Sequence, residues 1–284
     1  MRWLMLLACG VCAAQDTALL QRGAQAMREQ RFADAESIYR KLVESSPDDS
    51  RLRLNLGLAL YSGGKYAAAR VEIDRYLKVN PQPGPVYLVS GTTLLKLQKP
   101  CDAIGPLEKA QTWQASVEVL TELGDAYNGC KRYLDAGRTY ERASRLKDDR
   151  KLGRAAARSY WEAREYEKAR PLFAKVETAF GKDAEFLYEY GDTLVRLEGP
   201  TAGLAYLAQA VAAQPSLLSA RAAYGKALLE TGRAQDAIPH LEAVVSTDPA
   251  LWLALSKAYQ ATGRTTDAAR ATSEYRRRMS DRNE

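Results

Sequence analysis

Two series of small residues run through the sequence in step. The first series is Gly23, Gly57, Gly91, Gly124, Ala157, Gly191, Gly225 and Ser256. The second series is Ala35, Ala69, Ala103, Ala136, Ala169, Gly203, Ala237 and Ala268. In both, the successive gaps are 34, 34, 33, 33, 34, 34 and 31 residues, and each member of the second lies 12 residues after its partner in the first. A constant period of this length is typical of a repeat protein.

The period also predicts the structure of one repeat. Two antiparallel helices of about a dozen residues each, with short turns, fill a unit of this size. A small residue where the two helices cross lets their backbones pack closely, whereas a bulky side chain would hold them apart. Apolar residues recur at i, i+3 and i+4 and do not alternate, so the sequence predicts helices and no strands.

The pattern resembles the tetratricopeptide repeat, over about residues 16–280. Motif position 24 is Tyr39, Ile73, Leu107, Tyr140, Phe173, Leu207, Leu241 and Thr272, and the helix-stopping proline is present as Pro47, Pro81, Pro215 and Pro249. This proline is missing from the third to fifth repeats, and Arg22 departs from the apolar pattern at position 7. The resemblance implies an all-α fold, a right-handed α-solenoid of about eight helix-turn-helix repeats. They would start near residues 16, 50, 84, 117, 150, 184, 218 and 249, in a single array followed by a tail at 281–284.

Residues 1–14 have a different composition. A positive charge at Arg2 precedes an uncharged, mostly apolar run over residues 3–11, and small residues follow at 12–14. This order is typical of a short secretory signal cleaved before Gln15, and no other stretch is long and apolar enough to span a bilayer. Residues 6–10 also resemble a bacterial lipoprotein box, in which Cys9 would carry the lipid. A retained apolar N-terminus is the third interpretation. We therefore expect an exported protein, periplasmic or secreted, or a membrane-anchored lipoprotein.

Two cysteines, Cys101 and Cys130, lie within the repeats. In a tetratricopeptide stack the corresponding corners of neighbouring repeats face the same edge, so the resemblance implies that the pair could form a disulfide, which an exported protein can keep. Two separate, half-buried thiols are the alternative. A zinc site is not expected, because two cysteines with no nearby histidine cannot complete the ligand set.

The residues that catalysis would need are not present in a usable pattern. His240 is the single histidine, and it falls on a second helix of a repeat. Residues 62–65, Ser-Gly-Gly-Lys, lack the upstream glycine and the trailing Ser/Thr of a phosphate-binding loop and fall in the turn between paired helices. We therefore predict no catalytic residues, no metal and no cofactor.

Net charge does not point to nucleic acid. The formal charge is +6, but 41 basic and 35 acidic residues are interspersed, and the one basic cluster, at residues 276–278, closes the final predicted helix. Basic residues are favoured there by the helix dipole. An export signal also argues against a nucleic-acid role.

The resemblance places function in the concave groove, which the first helix of each repeat lines. The groove candidates are Leu54, Asn55, Leu58, Leu88, Val89, Thr92, Glu122, Asp125, Arg154, Arg158, Glu189 and Asp192. The first repeats supply an apolar strip, and the later ones supply an acidic, then a basic, then an acidic band. These bands are open to two interpretations, contacts with a partner or salt bridges between neighbouring repeats.

Together these observations predict a non-enzymatic scaffold of the cell envelope that binds a protein or peptide in its groove. A structural spacer or homo-oligomer is the first alternative. The second is a regulatory subunit of a separately encoded enzyme. Membrane contact is expected only if Cys9 is lipidated.

Overall fold

The computed structural model describes residues 16–81, 84–246 and 248–280, and every regular element within these ranges is a helix. The signal-like segment with Cys9 and the tail at 281–284 lie outside the described residues. Over the ranges described, no helix is long and apolar enough to cross a membrane. The predicted all-α fold is confirmed.

The chain divides into two compact halves, one up to Lys147 and one from Asp148 onward. Within the first half the described helices are α1 (16–28), α2 (Phe32–Ser45), α3 (Ser50–Ser62), α4 (Tyr66–Val79), α5 (Gly84–Lys96), α6 (Pro100–Trp113), α7 (Val117–Gly129) and α8 (Tyr133–Leu146). Within the second they are α9 (Arg150–Glu162), α10 (Tyr166–Phe180), α11 (Ala184–Glu198), α12 (Pro200–Ala213), α13 (Leu218–Glu230), α14 (Ala234–Glu242), α15 (Pro249–Ala261) and α16 (Thr265–Ser280). Odd-numbered helices are the first helices of the repeats, and even-numbered helices are the second.

Short polar signals start and stop the helices. Asp49, Ser116 and Asp183 cap first helices by accepting a hydrogen bond from a backbone N–H two or three residues on. Between α3 and α4, Gly64 has a left-handed φ of 75°, and the N–H of Lys65 donates to the carbonyl of Leu60 at 2.8 Å. This is the usual C-terminal helix stop. The glycine pair at residues 63–64 therefore ends a helix.

The two small-residue series lie where the paired helices cross. A Cβ added at Gly91 would lie 2.3 Å from Cγ of Leu107, and one at Gly203 would lie 2.1 Å from the carbonyl oxygen of Gly191. The alanines of the second series are buried, with Ala69 and Ala103 fully so. Any larger side chain at these positions would force the helices apart.

The last repeat crosses differently. At its crossing Ser256 replaces glycine, and its hydroxyl donates to the carbonyl of Ala268 at 3.0 Å and lies 2.8 Å from Oγ1 of Thr272. The two hydroxyls are thus satisfied by each other and by the backbone. This polar crossing matches the degenerate character of the terminal repeat.

Candidate functional site

The apolar strip comprises Leu54 and Leu58 on α3 and Leu88 and Val89 on α5. All four side chains are half-buried. Leu54 and Val89 pack against one cluster of buried residues in the first half, so their inner faces belong to the core and their outer faces remain accessible. Packing within the protein therefore does not bury the strip completely. A ligand lying along α3 and α5 could contact the exposed part of each of these four side chains.

The two polar candidates beside the strip differ in access. Asn55 is half-buried, whereas Thr92 is only 7% exposed. The hydroxyl of Thr92 donates to the carbonyl of Val89 at 3.1 Å. Thr92 thus supports α5, and Asn55 is the polar group that a ligand could reach.

Next to the strip, α7 packs against α5 and carries Glu118, Glu122 and Asp125 on successive turns. Burial, with Asp125 and Glu118 nearby, raises the pKa of Glu122. Desolvation also raises the pKa of Asp125, although its carboxylate accepts a hydrogen bond from the Tyr140 hydroxyl. We call these three residues the acidic patch.

The acidic patch lacks a cation held in contact. Among the described residues, no Lys or Arg nitrogen lies within 4.0 Å of a carboxylate oxygen of Glu118, Glu122 or Asp125. Lys96 on α5 lowers the pKa of Glu122 and Asp125 through space without forming an ion pair. A positive group from outside would therefore find its counter-charges available.

The charged candidates of the second half are already occupied. Arg154 on α9 binds Asp183 at the start of α11 through both terminal nitrogens, at 2.8 and 3.1 Å. Arg158 reaches Glu185 at 3.1 Å and Glu189 at 3.1 Å. The basic and acidic bands here form salt bridges between the first helices of the fifth and sixth repeats.

Trp161 adds a further contact between α9 and α11. The indole N–H of Trp161 donates to Asp192 at 2.8 Å, and its ring meets Tyr188 edge-on at 5.6 Å. Asp192 also lies 3.4 Å from Nε of Arg196 and is 9% exposed. The carboxylate therefore serves packing between α9 and α11, and little of it is accessible.

Glu189 is the most deeply buried acid of the candidate set. It is 2% exposed, and its Oε2 has no hydrogen-bond partner among the described residues. Burial raises its pKa from 4.5 to about 7, against the opposing effect of Arg158 and Arg154. Glu189 is thus out of reach of a partner, and its charge is sensitive to pH near neutrality.

Sequence reasoning missed a cavity of about 510 Å³ between α11 and α13. It is lined by Tyr188, Asp192, Val195, Arg196, Leu207, Ser219, Ala222, Ala223, Lys226, Ala227 and Glu230. The small residues of α13 open it, because Ser219, Ala222 and Ala223 leave space where larger side chains would fill the groove. In the sequence, the only sign of this cavity is the presence of two alanines and a serine at groove positions of the seventh repeat.

Cys101 and Cys130 form a disulfide in this structure, with their Cα atoms 5.0 Å apart. Cys101 lies in the first turn of α6 and Cys130 is the C-cap of α7. The bond therefore joins the third repeat to the fourth, beside the helices that carry the apolar strip and the acidic patch.

Metal ligands and the single histidine are the remaining features of the described ranges. No group of three or more His, Cys, Asp or Glu side chains there is placed to hold a metal ion. Burial and the nearby Arg221 lower the pKa of His240, whose ring meets Tyr224 edge-on at 4.9 Å. This histidine packs against an aromatic ring as part of the fold.

Comparison with known proteins agrees with this architecture. A tetratricopeptide repeat family model matches residues 20–85, 154–217, 191–251 and 222–281, which together exceed half of the chain. Among curated proteins no match is found.

Solved structures of repeat proteins share the fold. MamA from MSR-1 is 23% identical over 58% of this chain and 95% of its own, with a TM-score of 0.53. YrrB, described as a TPR protein with an unusual peptide-binding site, is 20% identical over 64% of this chain and 95% of its own, with a TM-score of 0.56. A tetratricopeptide repeat protein from Parabacteroides merdae is 13% identical over 86% and 98%, with a TM-score of 0.51. With the repeat register and the family match, the chain belongs to the tetratricopeptide repeat family, whose members are in general non-catalytic scaffolds that bind other proteins.

Proposed function

We propose that this protein is a non-enzymatic adaptor that binds a peptide segment of a partner protein on the first helices of its first half. The observation that carries the proposal is the apolar strip, half-exposed on α3 and α5, directly beside the acidic patch on α7. Single exposed apolar residues are ordinary, but a contiguous group is typical of an interaction surface.

The ligand chemistry follows from these two neighbours. Leu54, Leu58, Leu88 and Val89 suit a segment with spaced aliphatic or aromatic anchors, as an amphipathic helix or an extended peptide provides. The acidic patch suits a Lys or Arg that follows the anchors, since a cation would offset the burial and the repulsion from Asp125 that together raise the pKa of Glu122. The charge would set direction and register more than affinity.

We also propose that the adaptor works in the cell envelope. The order of charged, apolar and small residues in 1–14 supports export, by cleavage or with a lipid at Cys9. The disulfide between Cys101 and Cys130 supports it independently, because such bonds persist in oxidising compartments. A homo-oligomer whose groove is filled by a second copy is kept as an outcome of the test below.

The proposal is tested by selecting random displayed peptides on the purified full chain. We expect enrichment of segments with two or more large apolar residues followed by Lys or Arg. Leu58→Asp should abolish binding of the selected peptides, because a carboxylate would then lie in the apolar contact. Its thermal midpoint should fall by only a few degrees, since Leu58 is half-exposed.

The matched control is Val71→Asp, a similar change at an exposed apolar position of α4, which should leave peptide binding intact. Equal binding to wild type and Leu58→Asp would contradict the proposal. So would selection of no common pattern together with a mass in solution that falls on dilution, which would favour the homo-oligomer.

A further inference from the structure

A row of exposed apolar side chains runs along one edge of the first half. Val79, Trp113 and Leu146 are the last residues of α4, α6 and α8, and they are 66%, 56% and 59% exposed. Within the first half α4 packs against α5 and α6 against α7, and Arg142 of α8 contacts Gln111 of α6, so the C-terminal ends of α4, α6 and α8 lie at the same edge. We call the three residues the edge row.

Cations outnumber carboxylates beside the edge row, although Glu72 and Glu141 lie within its helices and Asp148 follows Lys147. A cation precedes each of its members by four residues, Arg75, Lys109 and Arg142, and therefore lies on the same helix face. Across residues 75–79, 109–113 and 142–147 there are six cations, which are Arg75, Lys78, Lys109, Arg142, Arg145 and Lys147, and no carboxylate.

Internal ion pairs neutralise only part of this charge. Arg75 pairs with Glu72 at 2.9 Å and Arg145 with Glu141 at 2.6 Å, both within their own helices. Arg142 instead donates to the neutral side chain of Gln111 at 2.9 Å. The helix dipole accounts for basic residues at these helix ends. It does not account for a large apolar residue beside them.

Trp113 is held in its exposed position by a dedicated contact. One part of the indole covers Gly84 at the start of α5, where an added Cβ would lie 2.0 Å from Cγ of Trp113. Beside it lies an open cavity of about 390 Å³, lined by Pro81, Gly84, Tyr87, Lys109, Thr112 and Trp113. Lys109 places its ammonium 4.8 Å from the centre of the Tyr87 ring. The indole is thus fixed before any ligand arrives.

Corresponding positions in other repeats do not repeat this arrangement. The last residue of α2 is Ser45, and the equivalent positions in α10 and α12 are Ala179 and Ala213. The edge row is therefore confined to three consecutive repeats. It is a local feature and does not come from the fold as a whole.

We propose that this edge docks on an anionic lipid surface. The excess of cations complements a surface of uniform negative charge, whereas protein surfaces offer mixed signs. Tryptophan is favoured at the boundary between lipid headgroups and water, and Val79 and Leu146 add apolar contact on either side of it. This route to the membrane is separate from a lipid at Cys9 and does not depend on the peptide-binding proposal.

The test uses the full chain with Cys9→Ser, so that no lipid anchor contributes, and measures co-sedimentation with vesicles. We expect binding to vesicles of equal parts phosphatidylglycerol and phosphatidylcholine, weakening with added salt, and little binding to phosphatidylcholine alone. Lys109→Gln should weaken the partition about fivefold, as expected for one basic residue near an anionic surface. Trp113→Gln and Val79→Gln should each weaken it at least as much.

The matched control is Val71→Gln, which removes another exposed valine from the same helix as Val79 but away from the edge row. It should bind vesicles like the parent, and the variants at Val71, Val79 and Lys109 should keep the parent's thermal midpoint. Equal binding to both vesicle types, or equal loss with Val71→Gln, would overturn the proposal. A dilution-dependent mass abolished by Trp113→Gln, without vesicle binding, would overturn it in favour of a contact between two copies.

Discussion

The first helices of the two halves share one backbone design and use their groove-facing side chains in opposite ways. In the second half, Arg154, Arg158 and Trp161 on α9 are bound by Asp183, Glu185, Glu189 and Asp192 at or on α11. In the first half, no ion pair among the described residues joins α3, α5 or α7 to one another. First-helix side chains thus join neighbouring repeats between α9 and α11, whereas those of α3, α5 and α7 do not join each other through ion pairs among the described residues.

The first half has a different fastening, which lies away from its groove. The disulfide between Cys101 and Cys130 joins its third and fourth repeats at their edge, which leaves the groove side chains of α5 and α7 free of that task. In the second half the corresponding task falls to polar contacts inside the groove itself. The comparison predicts that the halves respond to different perturbations.

The largest expected effect is the loss of stability of the first half when its disulfide is reduced. Opening the disulfide with a reductant, or changing both cysteines to serine, should cost about 3 kcal/mol of unfolding free energy, since the bond closes a loop of about 30 residues. Hydrogen exchange resolved by peptide should show faster opening in α5 to α8 and unchanged protection in α9 to α12. Equal loss of protection in both halves would break the comparison.

The second effect, of about 2 kcal/mol, is a dependence of the unfolding free energy on pH that arises in the second half. The pKa of Glu189 is about 7 in the fold, against 4.5 for an ordinary glutamate. Because the folded-state pKa is raised, the protonated side chain favours the fold. This contribution is complete below pH 4.5 and is lost as pH rises through 7. The difference between the two pKa values corresponds to about 3 kcal/mol at most.

Glu189→Gln mimics the protonated form, so it should stabilise the protein at pH 8 by about 2 kcal/mol and have little effect at pH 4.5. Urea unfolding at the two pH values measures the difference. Glu185→Gln, which removes an exposed carboxylate that also contacts Arg158, is the matched control and should change stability by under about 0.5 kcal/mol at either pH. Equal behaviour of the two variants would show that Glu189 is not buried as described.

The fold could be predicted from the sequence because the constraint is steric and periodic. A small residue such as Gly91 is needed wherever a neighbour such as Leu107 fills the crossing, and this need recurs in every repeat. Even the departure at Ser256 has a local cause, in its hydrogen bonds to Ala268 and Thr272. The size of the residue at each helix crossing, repeated at a fixed period, was therefore enough to predict the architecture.

The candidate site was less predictable, because helical periodicity does not distinguish the two uses of a groove position. The alternating charge bands were compatible with a partner or with salt bridges, and only the register of α9 against α11 brings Arg154 to Asp183. The cavity at Ala222 and Ala223 arises from missing volume, which leaves no motif. The edge row was missed because Trp113 at a helix end has the spacing of a core residue.

The smallest expected effect concerns the acidic patch. Glu122→Gln should weaken binding of a selected peptide that carries Lys after its apolar anchors by about fivefold, roughly 1 kcal/mol, through loss of one charge contact. The same peptide with Gln in place of Lys should bind wild type and Glu122→Gln equally, which isolates the pair as a double-mutant cycle.

Because cation binding favours the ionised carboxylate, and burial with like charges raises the pKa of Glu122, affinity for the Lys peptide should also fall as the solution is acidified. Arg158→Gln serves as the control from the second half and should leave peptide affinity unchanged. An equal loss of affinity for the Lys and Gln peptides would mean that Glu122 acts through packing, and the acidic patch would then have no part in recognition.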